Sequence, residues 1–442
     1  MKNKIDVGKS LSRIDFFMLA AVFVLMFLGV MFIYSSGISS IGVNTSNEYV
    51  KQVVRIISGL FVLVFFSLYD IEKIKSISLI TYLFLIFVLI YTRLFGTLVN
   101  GARSWIYVGG FVFQPSEFTK LTTILFLGKY LDDNQKDIRS LKVFITSFII
   151  ISIPFGLILL QPDMGTASVY IPIFLAMLFI SGCNIKYLTY LILLGALTLV
   201  LTMLPGWETY ILQSNNTFVS VLTEPRLILY LIGSITFSIL LSLIGLLYFK
   251  KEYFNWLIYF FSIIVFSLIL SFVAREYVLK DYQIMRLIVF MNPQVDPLNF
   301  GWNIIQATTA VGSGGFSGKG FLQGTQSHYQ FLPEQSTDFI FSILSEELGF
   351  LGALLVFGLF LIILIRGLLI LTYAKNNFSI LVGSGIIGMI FFHVILNVGM
   401  NIGLMPITGI PLFFLSYGGS SLWTALAGIG ILQGIYQRRY RN

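Results

Sequence analysis

One carboxylate in this chain lies in a setting that suits acid–base chemistry. Asp296 occurs in the string NPQVDPL, where Pro293 and Pro297 restrict the backbone on both sides and so fix the position of the carboxylate. Arg286 and Asp281 lie nearby in the sequence. A carboxylate among cations suits the deprotonation of a hydroxyl while the cations stabilise a departing phosphate. An Asp before Pro is also a common turn residue, so the residue types alone leave both roles open.

A second group of polar residues lies at a predicted helix start, in the string QPSEFTK at 114–120. Pro115 favours the first turn of a helix, and Glu117 and Lys120 then share one helix face at i and i+3. Charged groups within a membrane are costly and usually face a cavity or a partner. The pair therefore indicates either a functional site or a structural ion pair. Trp105, which precedes it, is typical of aromatic residues at a membrane interface.

Asp163 lies in the string QPDMGT at 161–166, at a break between two apolar runs. Its carboxylate can cap the following helix through backbone amides. It could also bind a cation, or pair with Lys120 or with Arg103. These roles are compatible with one another.

Two adjacent glutamates, Glu346 and Glu347, follow the string LPEQSTD at 332–338, which contains Glu334. We expect the last three residues of that string to cap a helix over 338–365, which would be about 42 Å long at 1.5 Å per residue. Such a helix is longer than the hydrocarbon core of a bilayer. We therefore expect its start to stand above the hydrocarbon, with both glutamates near the outer interface. Apposition of the glutamates with Lys120 is one possibility that the sequence leaves open.

The glycine-rich string GSGGFSGKG at 312–320 invites comparison with a phosphate-binding loop, but its spacing differs. Ser313 stands where the first Gly is required, and Gly320 follows Lys319 in place of Ser or Thr. A tightly turned loop is the simpler interpretation. Its backbone amides and Lys319 could still meet a lipid phosphate. A second patch of small residues, GGSS at 418–421, is typical of close helix packing in membranes.

The composition indicates a polytopic membrane protein. Hydrophobic residues make up 57% of the 442 residues and charged residues only 11%, far below the roughly 25% charged of a soluble domain. The formal net charge of +8 is therefore better explained by membrane topology than by nucleic-acid binding. The single cysteine excludes an internal disulfide, and two distant histidines do not suggest a zinc site.

Apolar runs predict twelve membrane spans. The first follows four basic residues and is expected to remain as an uncleaved helix. The fourth is the weakest because Lys120 interrupts it. The predicted spans are 14–34, 52–69, 77–96, 118–131, 141–160, 164–182, 187–204, 227–249, 254–273, 338–365, 379–399 and 411–435.

The distribution of basic residues predicts the orientation of these spans. With both termini in the cytoplasm, 18 of the 28 Lys and Arg residues lie on the cytoplasmic side, as the positive-inside rule favours. The polar segment 274–337 is then an extracytoplasmic loop, on the side where ATP is absent. Loops of this length are usually functional or disordered. We find no internal repeat that would suggest an inverted-repeat transporter.

Eight strings occur in the order found in the SEDS family (shape, elongation, division and sporulation), and the chain resembles that family. GTQS at 324–327 resembles the RodA branch more than the FtsW branch. The strings cover most of the chain: GARSW at 101–105, QPSEFTK at 114–120, QPDMGTA at 161–167, NPQVDPLNFGWNIIQ at 292–306, GSGGFSGKGFLQGTQS at 312–327, LPEQSTDFIF at 332–341, SEELG at 345–349 and PLFFLSYGGSS at 411–421.

The resemblance implies a peptidoglycan glycosyltransferase that polymerises lipid II in the bacterial cytoplasmic membrane, together with a class B penicillin-binding protein. It implies that Asp296 is the catalytic residue, as general base toward the acceptor hydroxyl, with undecaprenyl pyrophosphate leaving. A divalent cation such as Mg²⁺ or Mn²⁺ could assist. The other residues expected to bind substrate are Arg103, Trp105, Glu117, Lys120, Asp163, Arg286, Lys319, Glu334 and Glu346.

The chain departs from the family pattern in three places. Ser336 replaces a usual His, and Ser104 stands where Arg is common, with Arg103 one place earlier. Family members typically have ten spans, so 205–275 is interpreted as an insertion that adds two, and the whole of 1–442 as one membrane domain. Two other functions stay open: a lipid II flippase, and a scaffold without enzymatic activity that recruits a penicillin-binding protein.

Overall fold

The computed structural model describes residues 14–39, 41–99, 102–108, 111–212, 219, 221–222, 224–279 and 281–440. Four basic residues predicted to precede the first span, Lys2, Lys4, Lys9 and Arg13, lie outside these ranges. The chain divides into two compact units, Met1–Cys183 with Gln306–Asn442, and Asn184–Ile305.

The first unit is helical apart from one small sheet. Its sheet is antiparallel, in the order β1-β2-β3. Its elements are α1 (Phe16–Ser36), α2 (Glu48–Leu68), α3 (Ile71–Phe95), β1 (Thr97–Val99), β2 (Ala102–Val108), β3 (Phe111–Phe113), α4 (Pro115–Asp133), α5 (Leu141–Leu160), α6 (Met164–Ser168), α7 (Tyr170–Ser181), α13 (Thr325–His328), α14 (Ile340–Thr372), α15 (Asn377–Asn401) and α16 (Gly419–Gln437).

The second unit carries the segment predicted to be an insertion. Its helices are α8 (Ile185–Trp207), α9 (Pro225–Phe249), α10 (Glu252–Val273) and α11 (Asp281–Met291), and α12 (Phe300–Ser313) begins in it. α9 packs on α10, and α8 packs on both α10 and α11. The predicted insertion 205–275 thus contains the two expected helices. Parts of it, residues 213–218, 220 and 223, lie outside the described residues.

Local sequence explains where several helices begin. Asp15 accepts a hydrogen bond from the amide of Met18 at 3.0 Å and caps α1. Asn376 caps α15 in the same way through the amide of Ser379, at 3.1 Å. Each side-chain oxygen satisfies an amide that has no partner within its own helix.

Several polar residues of the first unit are brought together by α15, a long helix that is mostly buried. α15 packs against α4, α7 and α14, while α16 packs along α2. Of the most apolar 18-residue stretch of α15, 72% is buried, against 22% for α2. Side chains on α15 therefore face other helices rather than the surrounding lipid.

Ten helices within the described residues are long and apolar enough to cross a membrane, which supports a multi-pass membrane protein. Two of the twelve predicted spans are not among these ten, although both are helical. The span predicted at 118–131 lies in α4, and the span predicted at 411–435 is shorter than expected because its helix begins only at Gly419.

The segment 274–337, predicted to be an extracytoplasmic loop, contains several helices. α11, a 3₁₀ turn at Pro293–Val295, α12 and α13 occupy much of it. Apolar residues within this polar sequence are buried. Ala307 and Ala310 of α12, for example, are fully buried against Leu332 and Phe339.

Candidate functional site

Glu117 and Lys120, at the start of α4, form a buried ion pair. A histidine from α15 contacts the lysine of this pair. The Lys120 ammonium lies 2.8 Å from Glu117 Oε1 and 3.0 Å from His393 Nε2, and both Lys120 and His393 are fully buried. An ammonium can only donate, so Nε2 must accept. The other ring nitrogen, Nδ1, then donates to the carbonyl of Pro411 at 3.1 Å. The lysine thereby fixes the tautomer of the histidine.

Three buried side-chain oxygen atoms near this ion pair lack hydrogen-bond partners among the described residues. Glu117 Oε2, Ser116 Oγ and Tyr170 OH are buried without hydrogen-bond partners in the described part of the chain. The Phe413 ring stacks on His393, with centroids 3.7 Å apart. Lys120 is fully buried, and its ammonium contacts Glu117, His393 and the Phe413 ring.

Asp163 caps α6, as its sequence position predicts. Its Oδ1 accepts from the amide of Thr166 at 3.0 Å. Its Oδ2 accepts from Gln114 Nε2 at 3.1 Å, and the amide of Gln114 donates to Ser420 Oγ at 3.0 Å. Of the alternatives that the sequence left open, a pairing of Asp163 with Lys120 or Arg103 is not formed, and Gln114 contacts the carboxylate instead.

Arg103 and Trp105 lie on β2, an element that their short polar string did not predict. Trp105 pairs with Thr97 of β1. Arg103 is exposed, and its Nη1 donates to the carbonyl of Leu94 at 3.0 Å. Its remaining guanidinium donors are available to a ligand at the surface.

Glu346 is bound by the glycine-rich segment and not by Lys120, so the apposition with Lys120 that the sequence left open is not formed. Its Oε1 accepts from Lys319 Nζ at 2.6 Å and from the amide of Thr325 at 2.8 Å. The amide of Gln326 donates to the same carboxylate at 3.1 Å. Thr325 Oγ1 also donates to Oε1, at 2.9 Å. These four donors to a fully buried carboxylate make it a structural anchor that binds Lys319.

Glu347 anchors the end of α1. Its Oε1 accepts a short hydrogen bond from Ser35 Oγ, and its Oε2 accepts from the amide of Leu322 at 3.0 Å. His328 Nε2 lies 4.0 Å from Oε1. Both glutamates are fully buried. Their expected position near the outer membrane interface stays a prediction, because burial within the protein does not give their depth in a membrane.

The two glutamates lie just before a break in α14 at Gly349, where φ is 66° and ψ is −159°. The glycine-rich segment fills the break: the amide of Gly320 donates to the carbonyl of Glu347 at 2.9 Å, and the amide of Phe350 donates to Gly315 at 2.9 Å. The predicted helix cap at 336–338 is not formed, because α14 begins at Ile340 without a side-chain cap. The glycine-rich segment holds the first two turns of α14 instead.

Asp296 lies in the second unit, at the start of α12. Its Oδ1 accepts from Asn299 Nδ2 at 3.0 Å and its Oδ2 from the amide of Phe300 at 3.4 Å. The amide of Gly301 donates to the carbonyl of Asp296 at 2.8 Å, and a Cβ at Gly301 would lie 2.7 Å from that same carbonyl. The turn thus requires glycine and holds a half-buried carboxylate with lone pairs to spare.

No cation accompanies Asp296 at ion-pair distance among the described residues, in contrast to the sequence-based expectation. The guanidinium of Arg286 instead lies over the ring of Tyr282, 5.6 Å from its centroid. The side chain of Asp281 lies outside what the structure describes.

Glu334 lies at the rim of a polar cavity of about 370 Å³ in the first unit. It is exposed, its φ is 50°, and Thr337 Oγ1 lies 3.5 Å from its Oε2. Within the described residues, no group of three or more His, Cys, Asp or Glu side chains could hold a metal ion.

The sequence-based reasoning missed three residues of α15, His393, Asn397 and Asn401. Asn397 Nδ2 donates to the carbonyl of Ile410 at 2.8 Å, and Asn401 Oδ1 accepts from the amide of Ser342 at 3.2 Å. The signal was present, because the three polar residues repeat every four positions and so share one face of an apolar helix.

Comparison with known proteins places this architecture in a family. The model of the FtsW/RodA/SpoVE family, described as cell cycle protein, matches residues 16–232 and 232–441. A solved chain of a peptidoglycan synthase complex that coordinates polymerization and crosslinking has the same fold. Its TM-score is 0.65 at 24% identity, with 97% of this chain and 99% of that chain covered.

Two curated relatives cover most of the chain. The peptidoglycan glycosyltransferase RodA of Treponema pallidum is 45% identical over 98% of this chain and 99% of its own length. Stage V sporulation protein E of Bacillus subtilis is 35% identical over 80% of this chain and 76% of its own. The chain belongs to the FtsW/RodA/SpoVE family of cell cycle proteins, the SEDS family that its strings resemble.

Proposed function

We propose that this chain is a peptidoglycan glycosyltransferase of the RodA type, which polymerises lipid II into glycan strands for cell-wall elongation. The observation that carries the proposal is its likeness, over nearly the whole of both chains, to a relative named for that activity. Neither a flippase nor a scaffold without enzymatic activity is favoured by that likeness.

In this proposal Asp296 is the general base. Asn299 and Phe300 hold the carboxylate through one hydrogen bond to each oxygen, which leaves lone pairs free to accept the proton of the acceptor hydroxyl. As the proton leaves, the hydroxyl oxygen forms a bond to the anomeric carbon of the lipid-linked donor. The bond from that carbon to the pyrophosphate breaks, and undecaprenyl pyrophosphate carries away the electron pair. A pyrophosphate needs little protonation to leave, so one carboxylate suffices.

The exposed guanidinium groups of Arg103 and Arg286 are the cations proposed to meet the pyrophosphate. A divalent cation, Mg²⁺ or Mn²⁺, is proposed as an assistant. Since the described residues offer no group of three ligands, the ion would be bound by one carboxylate together with substrate phosphates, a common arrangement for Mg²⁺. Asp163 is the proposed carboxylate. Chelation with EDTA should slow polymerisation, and added Mg²⁺ should restore it.

The proposed partner is a class B penicillin-binding protein, and the proposed location is the bacterial cytoplasmic membrane with both termini inside. The fold shared with a chain of a peptidoglycan synthase complex supports the partner, and the bias of basic residues supports the orientation.

Purified protein, with and without its cognate transpeptidase, tests the proposal on lipid II, with glycan products resolved on a gel. A ladder of strands is expected. A parallel assay of lipid II movement across vesicles tests the flippase. If lipid II moves across the vesicle membrane but no strands form under any cation condition, the proposal is overturned.

A further inference from the structure

We propose that the N-terminus of α16, together with Arg55 of α2, binds the pyrophosphate of the lipid-linked donor. This inference rests on the proposed function and adds an anion subsite to it. α2 and α16 pack along each other in the first unit. Arg55 lies seven residues after Glu48, the first residue of α2, which is about 10 Å along the helix axis. A charged side chain inside a membrane span is costly and usually faces a partner or a ligand.

Arg55 lacks a carboxylate partner among the described residues. None of their ion pairs includes it, and its Nη1 is buried without a hydrogen-bond partner in the same part of the chain. The guanidinium lies over the ring of Tyr417, 4.1 Å from the centroid. Arginine stays charged in proteins, and a desolvated charge without a counter-ion destabilises the fold. The guanidinium therefore favours an anion beside it.

The first turn of α16 lies next to this guanidinium. A Cβ added to Gly419, the first residue of α16, would lie only 3.2 Å from Arg55 Nε. Glycine at this position thus makes room for the arginine. Gly418 and Gly419 are both half-buried, so the start of the helix keeps an accessible surface.

The start of α16 offers backbone donors without acceptors. α16 is 19 residues long and begins without a side-chain cap. Within the described ranges, the amides of Gly419, Ser420 and Ser421 donate to no backbone or side-chain acceptor. Free amides and the aligned peptide dipoles of a helix make its N-terminus a binding site for anions.

Two serine hydroxyls add to these donors. Ser421 is only 7% exposed, and its hydroxyl has no hydrogen-bond partner among the residues that the structure describes. The hydroxyl is directed at the helix start, since a Cβ added to Gly418 would lie 2.5 Å from its Oγ. Buried polar groups are nearly always hydrogen-bonded, so an unpartnered hydroxyl at this place points to a ligand. Ser420 Oγ accepts from the amide of Gln114, which leaves its own proton to donate.

The donors favour a phosphate group and, among lipid phosphates, a pyrophosphate. The planar fork of a guanidinium matches two phosphate oxygens, and the amides and hydroxyls can reach further oxygens. The site also connects to the carboxylate proposed to hold the divalent cation. Gln114 donates from its amide to Ser420 and from its side chain to Asp163. A pyrophosphate at α16 would thus lie beside the carboxylate that shares a cation with substrate phosphates.

Binding of undecaprenyl pyrophosphate tests the site without requiring polymerisation. Purified protein in phosphatidylcholine nanodiscs is titrated with undecaprenyl pyrophosphate and with undecaprenol, and the ratio of the two Kd values gives the preference for the anion. Arg55→Gln should reduce this preference about tenfold, a moderate factor because the guanidinium is only half-buried. Arg55→Lys keeps the charge but loses the fork, so its preference should lie between the two.

Two further variants complete the titration. Ser421→Ala removes a single oxygen and should reduce the preference about two- to fivefold, which tests the site even if Arg55→Gln does not fold. Arg93→Gln, at an exposed arginine in the last turn of α3, is the matched control and should keep the wild-type preference. A variant that loses affinity for both lipids equally would show a structural role and overturn the site.

A second set of nanodiscs, which contain phosphatidylglycerol, separates the two sources of lipid phosphate. An unchanged Kd for undecaprenyl pyrophosphate supports the proposal. If phosphatidylglycerol abolishes that binding in the wild type but not in R55Q, the site binds a phospholipid headgroup and the proposal is overturned.

The outcomes also separate this inference from the proposed function. If the wild type prefers undecaprenyl pyrophosphate more strongly than R55Q and S421A do but makes no strands from lipid II, the proposed function fails and the anion site stands. If strands form and all variants show the wild-type preference, only the anion site is overturned.

Discussion

Lys319 donates to Glu346 twice, once from its backbone amide to the Glu346 carbonyl at 3.0 Å and once from its ammonium to Oε1 at 2.6 Å. The two bonds clamp the glycine-rich segment to the first turns of α14. The same segment reaches past the break at Gly349. We infer that the stability of this clamp sets the stability of the N-terminal end of α14.

Replacing Lys319 with Met should therefore destabilise the protein. Glu346 is fully buried, and removal of its charged partner leaves a buried carboxylate with neutral donors only. We expect a loss of about 2–3 kcal/mol, below the full cost of breaking a buried pair because the Lys319 side chain is 27% exposed. Thermal unfolding in detergent measures the loss. Lys136→Met, at an exposed lysine, is the control, and equal melting temperatures for the two variants contradict the clamp.

Two glycines of the same segment should respond in opposite ways to alanine. Gly318 has φ 79° and lies against the carbonyl of Glu347, so Gly318→Ala should cost about 2 kcal/mol or more. Gly312 lies within α12, and a Cβ added there would contact no other atom within 4 Å. Gly312→Ala should therefore leave the free energy of unfolding unchanged or raise it by up to about 1 kcal/mol. Unfolding midpoints of the two variants give the comparison. A loss of the same size in both would show that the glycines matter only through chain flexibility.

His393 should be needed for the position of Lys120. His393→Ala removes the only acceptor from α15 that the structure shows for the Lys120 ammonium and leaves a cavity, so we expect a loss of about 3 kcal/mol. His393→Gln offers an amide oxygen in its place and should recover part of the loss. Chemical denaturation of the three proteins measures this order. An alanine variant as stable as the glutamine variant would mean that Nε2 does not matter.

The fold and part of the site could be predicted from residues close together in sequence. Apolar runs predicted the helices, the i, i+3 spacing predicted the contact of Glu117 with Lys120, and the position of Asp163 before α6 predicted its cap. Each of these depends on one helix and on rules that operate over a few residues.

Contacts between distant residues could not be predicted in this way. Lys319 meets Glu346 only because α14 breaks at Gly349, and a glycine within an apolar run gives no sign of a break. The partner of Lys120 on α15 depends on which helices pack together. The small sheet that carries Arg103 has strands of only three to seven residues, too short for an alternating pattern to be recognised.

The catalytic role of Asp296 is the central claim, and an isosteric substitution tests it most directly. Asp296→Asn keeps the size of the side chain and removes the base, so strand synthesis should fall by a factor of about 10²–10⁴. Asp137→Asn, at an exposed aspartate of a 3₁₀ turn, is the matched control.

The measurement is the rate of glycan strand synthesis from lipid II by purified wild-type protein, D296N and D137N, beside lipid II binding and the melting temperature of each. We expect D296N to fold and to bind lipid II like the wild type but to make almost no strand, while D137N retains its rate. Strand synthesis by D296N within a fewfold of the wild-type rate would contradict a catalytic role for Asp296.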